Sequence, residues 1–241
     1  MRITDLLLML PTLNEEDALR ALGKEIPGSM DVLVVDGGST DGTQAIAEQL
    51  GYAFLPQKFG RGKGCGVRTG MEYFLKGEHS YLGMIDADYT NDPVEIDGML
   101  GSMKNGGYDI VLGKRDRKKQ LETLGRFALF INTSTSGIVT FAYRMYLPDI
   151  QTGYWLFSRS AVKALMPHLT AGGFNIEYDI VFNAWNEGLK VGAHEVTFRQ
   201  RLGRTKFTKY LRLKQIYYGL GYVRRSLGIM FMNKIKGRRS E

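Results

Sequence analysis

At 241 residues the chain can bury one α/β core or at most two small ones, and its 44% hydrophobic and 24% charged content is ordinary for a globular protein. The single cysteine, Cys65, excludes an internal disulfide framework and a cysteine-based zinc site and suits a reducing compartment, and histidines scattered at 79, 168 and 194 argue against a histidine metal cluster. The formal charge of +7 is concentrated at the C-terminal end, which points to an anionic partner.

The opening MRITDLLLML carries an aspartate before a very short apolar run and does not read as a signal peptide. LLLML (6–10) is a strand, and Asn14 followed by EEDALRALGK reads as a capped helix with acids in its first turn. DVLVVD (31–36) predicts a strand and TDGTQAIAEQL (40–50) a helix. A weaker strand at 52–55 precedes a helix over VRTGMEYFLK (67–76). YLGMID (81–86) is a strand, PVEIDGMLGSMK (93–104) a helix opened by proline, and DIVLGK (109–114) a further strand. Continuous apolar strands separated by helices predict an α/β fold with a mostly parallel sheet covered on both faces. Functional groups in such sheets gather at the carboxyl ends of strands, where Asp36, Asp86 and Asp88 fall.

Beyond 114 the pattern changes. KRDRKKQ (114–120) reads as a charged loop, and the apolar stretch 124–147 is broken by NTSTSG. A strand at YWLFS (154–158), a helix through NIEYDIVFNAWNEG (175–188) and a strand at EVTFRQR (195–201) complete the globular part. From Arg199 to Glu241 there are thirteen Lys or Arg and one acidic residue. In this tail Leu213, Ile216, Leu220, Val223, Leu227 and Phe231 recur at helical steps, with glycines at 219, 221 and 228 dividing two shorter helices. A basic amphipathic helix rich in Tyr, Met and Phe fits a membrane surface better than a nucleic-acid groove, and packing on the domain itself is the competing reading. No run approaches the roughly 18 apolar residues of a membrane span.

The sharpest chemical signal is MIDAD (84–88). Two carboxylates roughly 5–6 Å apart repel by about 3 kcal/mol at an effective dielectric of about 20, so one is protonated or a cation sits between them. Side chains two apart on a strand share a face. All-oxygen ligation selects Mg²⁺ or Mn²⁺, which take their remaining ligands from water and substrate phosphates. Alone, D-x-D is weak, because most such pairs are solvated loop aspartates.

PTLNE (11–15), VVDGGSTDGT (34–43), GRGKG (60–64), MIDAD and VLGKR (111–115) follow in order, each near a strand end. DIQTGYWLFSR (149–159), FNIEYDI (174–180) and VTFRQRLGRTK (196–206) continue the series. Together they resemble the family-2 glycosyltransferases of the GT-A fold, most closely dolichol-phosphate mannose synthases and related polyprenyl-phosphate glycosyltransferases. The resemblance implies a GT-A domain over 1–206, with 207–241 as membrane-surface helices. It implies that Pro11, Thr12, Asn14, Glu15 and Asp36 line the base and ribose, and that Lys63 and Ala87 lie in the nucleotide-sugar site. Asp86 and Asp88 would ligate Mn²⁺ or Mg²⁺. Arg115, Arg126 and Arg201, with Lys206, would hold the donor diphosphate or the acceptor phosphate.

Two positions depart from that pattern. Gly37 stands where relatives carry a second base-recognition aspartate, and Thr90 stands where mannose synthases carry glutamine. The implied reaction is inverting transfer from a nucleotide-diphosphate sugar, GDP-mannose first, to a polyprenyl or dolichyl phosphate. The enzyme would be peripheral on the cytoplasmic face of the membrane and would bind no nucleic acid. A phosphate acceptor needs no strong general base; a hydroxyl acceptor would need one, with Glu177 or Asp179 as candidates. Two alternatives stay open: a soluble glycosyltransferase using UDP-glucose and a small phosphorylated or glycan acceptor, and a catalytically silent binding module.

Overall fold

The computed structural model describes residues 5–202, together with 217, 221, 224, 227 and 228, which are helical. Lys206 and most of the amphipathic stripe predicted for the tail lie outside the described residues. Among the described residues, no helix is long and apolar enough to cross a membrane.

The chain begins with β1 (Leu6–Thr12), α1 (Glu16–Leu22), β2 (Asp31–Asp36), α2 (Thr43–Gln49) and β3 (Ala53–Pro56). It continues through α3 (Lys63–Lys76), β4 (Tyr81–Ile85), a 3-10 turn at Pro93–Glu95, α4 (Ile96–Gly106) and β5 (Ile110–Arg115). The remainder is α5 (Arg117–Leu124), α6 (Arg126–Tyr143), β6 (Tyr154–Ser158), α7 (Arg159–Leu165), α8 (Ile176–Asn186) and β7 (Val191–Val196). The strands form one seven-stranded sheet in the order β3-β2-β1-β4-β6-β5-β7. All neighbours are parallel except β6, which runs antiparallel between β4 and β5. The carboxyl ends of β1, β2, β4, β5 and β7 and the amino end of β6 therefore share one edge.

Period-two alternation sends successive residues to opposite faces, and both faces are covered. Leu7 and Met9, with Leu33 and Val35, pack into a core with Val67, Met71 and Phe74 of α3 and with residues of α6–α8. Leu6, Leu8 and Leu10, with Val32 and Val34, meet Leu19, Leu22, Ile46, Ile96 and Met99 from α1, α2 and α4. Each such burial stabilises the fold by about 2 kcal/mol per side chain.

Several predicted elements are corrected. Asn14 does not cap α1: it sits in the left-handed region at φ 49, and Glu15 occupies the cap position. The expected loop at 114–120 is mostly helical, because Asp116 caps α5 by accepting from Lys119 N at 2.8 Å. The break expected at NTSTSG is absent. There α6 runs unbroken for 18 residues, with Thr135 Oγ1 donating to the Ile131 carbonyl at 2.7 Å and Ser136 accepting from Ile150 N at 3.1 Å. A hydroxyl bonded back to the i−4 carbonyl costs a helix only slightly, and one engaged by a distant amide does not compete for the local backbone. The strand expected at 195–201 ends at Val196, because Thr197 N turns to the Glu95 carboxylate at 2.9 Å. Helix α3 begins at Lys63, earlier than the apolar periodicity indicates, and α7 carried no separate signal.

Candidate active site

One wall of the site is built from the ends of β1 and β2. Asp36 accepts from Gly38 N at 2.9 Å, Ser39 N at 3.0 Å and the Ser39 hydroxyl at 2.5 Å. Asn14 N donates to the Ser39 hydroxyl at 2.7 Å, and the Asn14 carboxamide oxygen accepts from Thr40 N at 2.7 Å. Gly37 N donates to the Thr12 carbonyl at 2.8 Å. Pro11, Thr12, Asn14, Glu15 and Asp36 thus share one edge. The Asp36 carboxylate is occupied by its own loop, and Glu15 by Arg201.

The glycine-rich stretch 60–64 has a packing reason. A Cβ at Gly62 would lie 2.6 Å from the Gly172 carbonyl oxygen, and one at Gly64 2.2 Å from that of Ala171. Only glycine lets the loop 171–173 approach this closely. That approach brings Lys63, the first residue of α3, against the start of α8. Its ammonium lies 2.6 Å from Asp86 Oδ1 and 2.6 Å from Glu177 Oε1. Burial opposes the ammonium's charge, but Asp86 and Glu177 outweigh it and raise the Lys63 pKa. The neighbouring Asp179 accepts from Thr170 N at 2.8 Å, Ala171 N at 2.9 Å and the Asn183 side chain at 3.2 Å, which fixes the same loop. Neither candidate base is disengaged.

Asp86 and Asp88 follow β4. Asp86 N donates to the Gly153 carbonyl at 3.0 Å, and a Cβ at Gly153 would lie 2.2 Å from Asp86 Oδ2. Asp88 accepts from the Thr90 hydroxyl at 2.6 Å, so the residue in the glutamine position orients the aspartate. Arg201 bridges the pair to the wall formed by the ends of β1 and β2, donating to Glu15 at 2.5 Å and lying 3.4 Å from Asp88 Oδ2. Its Nε is buried and has no hydrogen-bond partner among the described residues, a donor that a ligand oxygen would satisfy.

Arg115 is buried at the end of β5 and forks onto Asp149 with two bonds of 2.7 Å, its guanidinium 5.0 Å from the Phe198 ring centroid. Burial opposes its charge, but Asp149 foremost, with Asp86 and Asp88 adding, raises its pKa. Beside Arg115 a cavity of about 910 Å³ opens between α5, α6 and β7, lined among others by Lys114, Arg117, Lys119 and Ser136. Arg126 does not join these clusters; it is exposed at the first turn of α6.

Three groups at this edge carried no role in the sequence. Asp149 and Gly153 lie in the quoted motif DIQTGYWLFSR, so their signal was present without an assignment. Arg199, which pairs with Glu25 at 2.6 Å and with Asp92, likewise lies in the quoted motif VTFRQRLGRTK without an assignment.

The donor set at Asp86 and Asp88 is oxygen only, and among the described residues no group of three or more His, Cys, Asp or Glu gathers to hold a metal ion. Two carboxylates as the donor set fit Mg²⁺ or Mn²⁺, not a softer ion.

A doubly covered, mostly parallel sheet that presents an aspartate pair and basic side chains at its carboxyl edge is the arrangement of the GT-A glycosyltransferase fold. Residues 8–166 match the description of glycosyl transferase family 2, and the chain belongs to that family. Glycosyltransferase AglJ of Haloferax volcanii is 30% identical over 196 residues, covering 80% of this chain and 63% of that protein, so the chain spans under two thirds of that relative's length. Polyprenol monophosphomannose synthase of Mycolicibacterium smegmatis is 25% identical over 214 residues, covering 84% and 80% of the two chains. Among solved structures, glucosyl-3-phosphoglycerate synthase from Mycobacterium tuberculosis, in complex with Mn²⁺, uridine diphosphate and phosphoglyceric acid, superposes with a TM-score of 0.70. It is 17% identical, with 91% of this chain and 78% of that chain covered, and the likeness concerns the fold.

Proposed function

We propose that the protein is an inverting glycosyltransferase that moves a hexose, mannose from GDP-mannose first, onto a polyprenyl phosphate at a membrane surface. The observation that carries this reading is the engagement of both candidate bases: Glu177 is ion-paired with Lys63, and Asp179 accepts from two backbone amides and the Asn183 side chain. A hydroxyl nucleophile would have to lose its proton to one of them. A phosphate monoester is already anionic near neutral pH and needs no such base.

In this reading a phosphate oxygen of the acceptor forms the new bond to the sugar's anomeric carbon. The bond from that carbon to the diphosphate breaks with its electron pair, and the configuration inverts. Asp86 and Asp88 would hold Mn²⁺ or Mg²⁺, which supplies positive charge against the leaving diphosphate. Arg201 brings two further assets: a fixed charge and an unpaired Nε donor beside Asp88. Pro11, Thr12, Asn14 and Asp36 shape the nucleotide wall, and the cavity beside Arg115 receives the acceptor head. The exposed face of α6 supports a membrane approach. Phe127, Phe130 and Phe141 share it at helical spacing, each more than 60% exposed, with Arg117, Lys118 and Lys119 nearby on α5.

Labelled GDP-mannose and UDP-glucose, offered with polyprenyl phosphate and Mn²⁺, test the proposal. Label passing into the organic phase, and lost with chelator or in Asp88→Asn, is the expected result. A second reading is favoured by the fold relative that binds phosphoglyceric acid: transfer from UDP-glucose to a small phosphorylated acid. Aqueous product with no lipid label would favour it.

A further inference from the structure

Each aspartate of the pair carries one basic side chain, and each basic side chain carries a second carboxylate from outside the pair. The two sets are Glu177–Lys63–Asp86 and Glu15–Arg201–Asp88. The basic side chain of the first set is the more buried: Lys63 is 10% exposed against 22% for Arg201, and Glu177 is 7% exposed. A lysine facing Asp86 alone would compete with a divalent cation for that carboxylate, and its displacement would leave an ammonium buried without a counter-ion, which is costly. Glu177 removes the conflict by holding the ammonium from the other side. Its position is fixed three times over: by the first turn of α8, by the close approach of the loop 171–173 to Gly62 and Gly64, and by the amides that tie that loop to Asp179.

We propose that Glu177 is a positioning residue that keeps the Lys63 ammonium in place when Asp86 turns to a divalent cation, so that Asp86 exchanges one cation for another without an unpaired buried charge. The inference rests on the reading that Asp86 and Asp88 hold the metal. It gives Glu177 a task on the donor side, toward Lys63 and Asp86, and none in taking a proton from the acceptor.

The test is Mn²⁺ binding to the full chain with GDP or UDP present and no acceptor, read from the paramagnetic resonance signal of the free ion. Glu177→Gln is expected to weaken Mn²⁺ binding about tenfold while Lys63 is present, and by less than about twofold in a Lys63→Met background. Glu177→Asp, which keeps the charge but withdraws it by one methylene, is expected to weaken binding about threefold, again only with Lys63 present. This variant carries the comparison if Glu177→Gln fails to fold. Equal falls in both backgrounds would overturn the proposal, since Glu177 would then add only to the general field. Unchanged binding in the Glu177 variants would overturn it too, leaving the metal site standing. A wild-type chain that takes up no Mn²⁺ with either nucleotide would remove the metal reading and this inference together.

Discussion

Arg201 donates to Glu15 at 2.5 Å across 186 residues of chain. Its position is set by backbone pairing: Arg199 N donates to the Thr90 carbonyl at 2.8 Å and Leu202 N to that of Asp88 at 3.2 Å. The segment after β7 is thereby laid over the aspartate pair, and the Arg201 fork reaches Glu15 and Asp88 at once. A general excess of positive charge would not produce this; a fixed fork in that place does.

Arg201→Lys keeps the charge but replaces the planar fork with a single ammonium. Turnover is expected to fall about 100-fold, with a raised KM for the donor, while the melting temperature changes little. Steady-state kinetics against donor concentration check this, and unchanged turnover would remove Arg201 from the site.

Gly153→Ala places a methyl group 2.2 Å from Asp86 Oδ2, and the aspartate has to move. Activity is expected to drop at least about tenfold, because misplacing a group by about 1 Å costs that much or more. Assays over a Mn²⁺ titration should show a higher metal requirement. A normal titration would mean that the Asp86 position is not critical.

Asp149→Ala strips the partner from the buried Arg115 guanidinium. Breaking a buried pair from one side costs about 3–5 kcal/mol, or about 10 °C in melting temperature for a chain of this size. Calorimetry reads this directly, and a shift of under about 2 °C would show that Arg115 finds another partner.

Glu25 links to the Tyr89 hydroxyl at 2.5 Å and to Arg199. Burial opposes its charge, but those two partners outweigh it and hold its carboxyl below the ordinary value of 4.5. A depressed carboxyl contributes stability that is present above the ordinary value and is lost as pH falls through the folded-state one. Below about pH 4.5 the wild type is therefore expected to lose stability more steeply than Glu25→Gln. Urea midpoints between pH 7 and pH 3 give the comparison; parallel curves would refute the link.

Phe127, Phe130 and Phe141 extend from one exposed face of α6. Replacing all three by serine is expected to abolish sedimentation with anionic polyprenyl-phosphate vesicles, since three rings at about 1.5–3 kcal/mol each amount to at least about a thousandfold in partitioning. Folding should be unaffected, because these rings stand mostly in solvent. Unaltered sedimentation would remove this face of α6 as a membrane contact.

Much of this architecture is legible in the residues alone. The alternating cores on the two faces of β1 and β2 follow from apolar runs, and the placement of Asp36, Asp86 and Asp88 at one edge follows from strands that end where they stand. The unbroken α6 is not legible in that way. Local hydropathy registers NTSTSG as polar, whereas the Thr135 and Ser136 hydroxyls are satisfied by the Ile131 carbonyl and Ile150 N. Asn14 is the residue type of a helix cap, yet its carboxamide is drawn to Thr40 N, 26 residues away.

Fold class, family resemblance and the chemical types at the edge follow from the order of residues, because periodicity and residue identity are local properties. Which charge meets which is settled by tertiary packing. Lys63 meets Glu177, 114 residues distant from it, as well as Asp86, and Arg115 belongs first to Asp149. Arg201 unites Glu15 with Asp88, while Arg126 stays outside in solvent. The strength of an ion pair depends on separation and burial, and both are set by how the sheet brings distant segments to one edge.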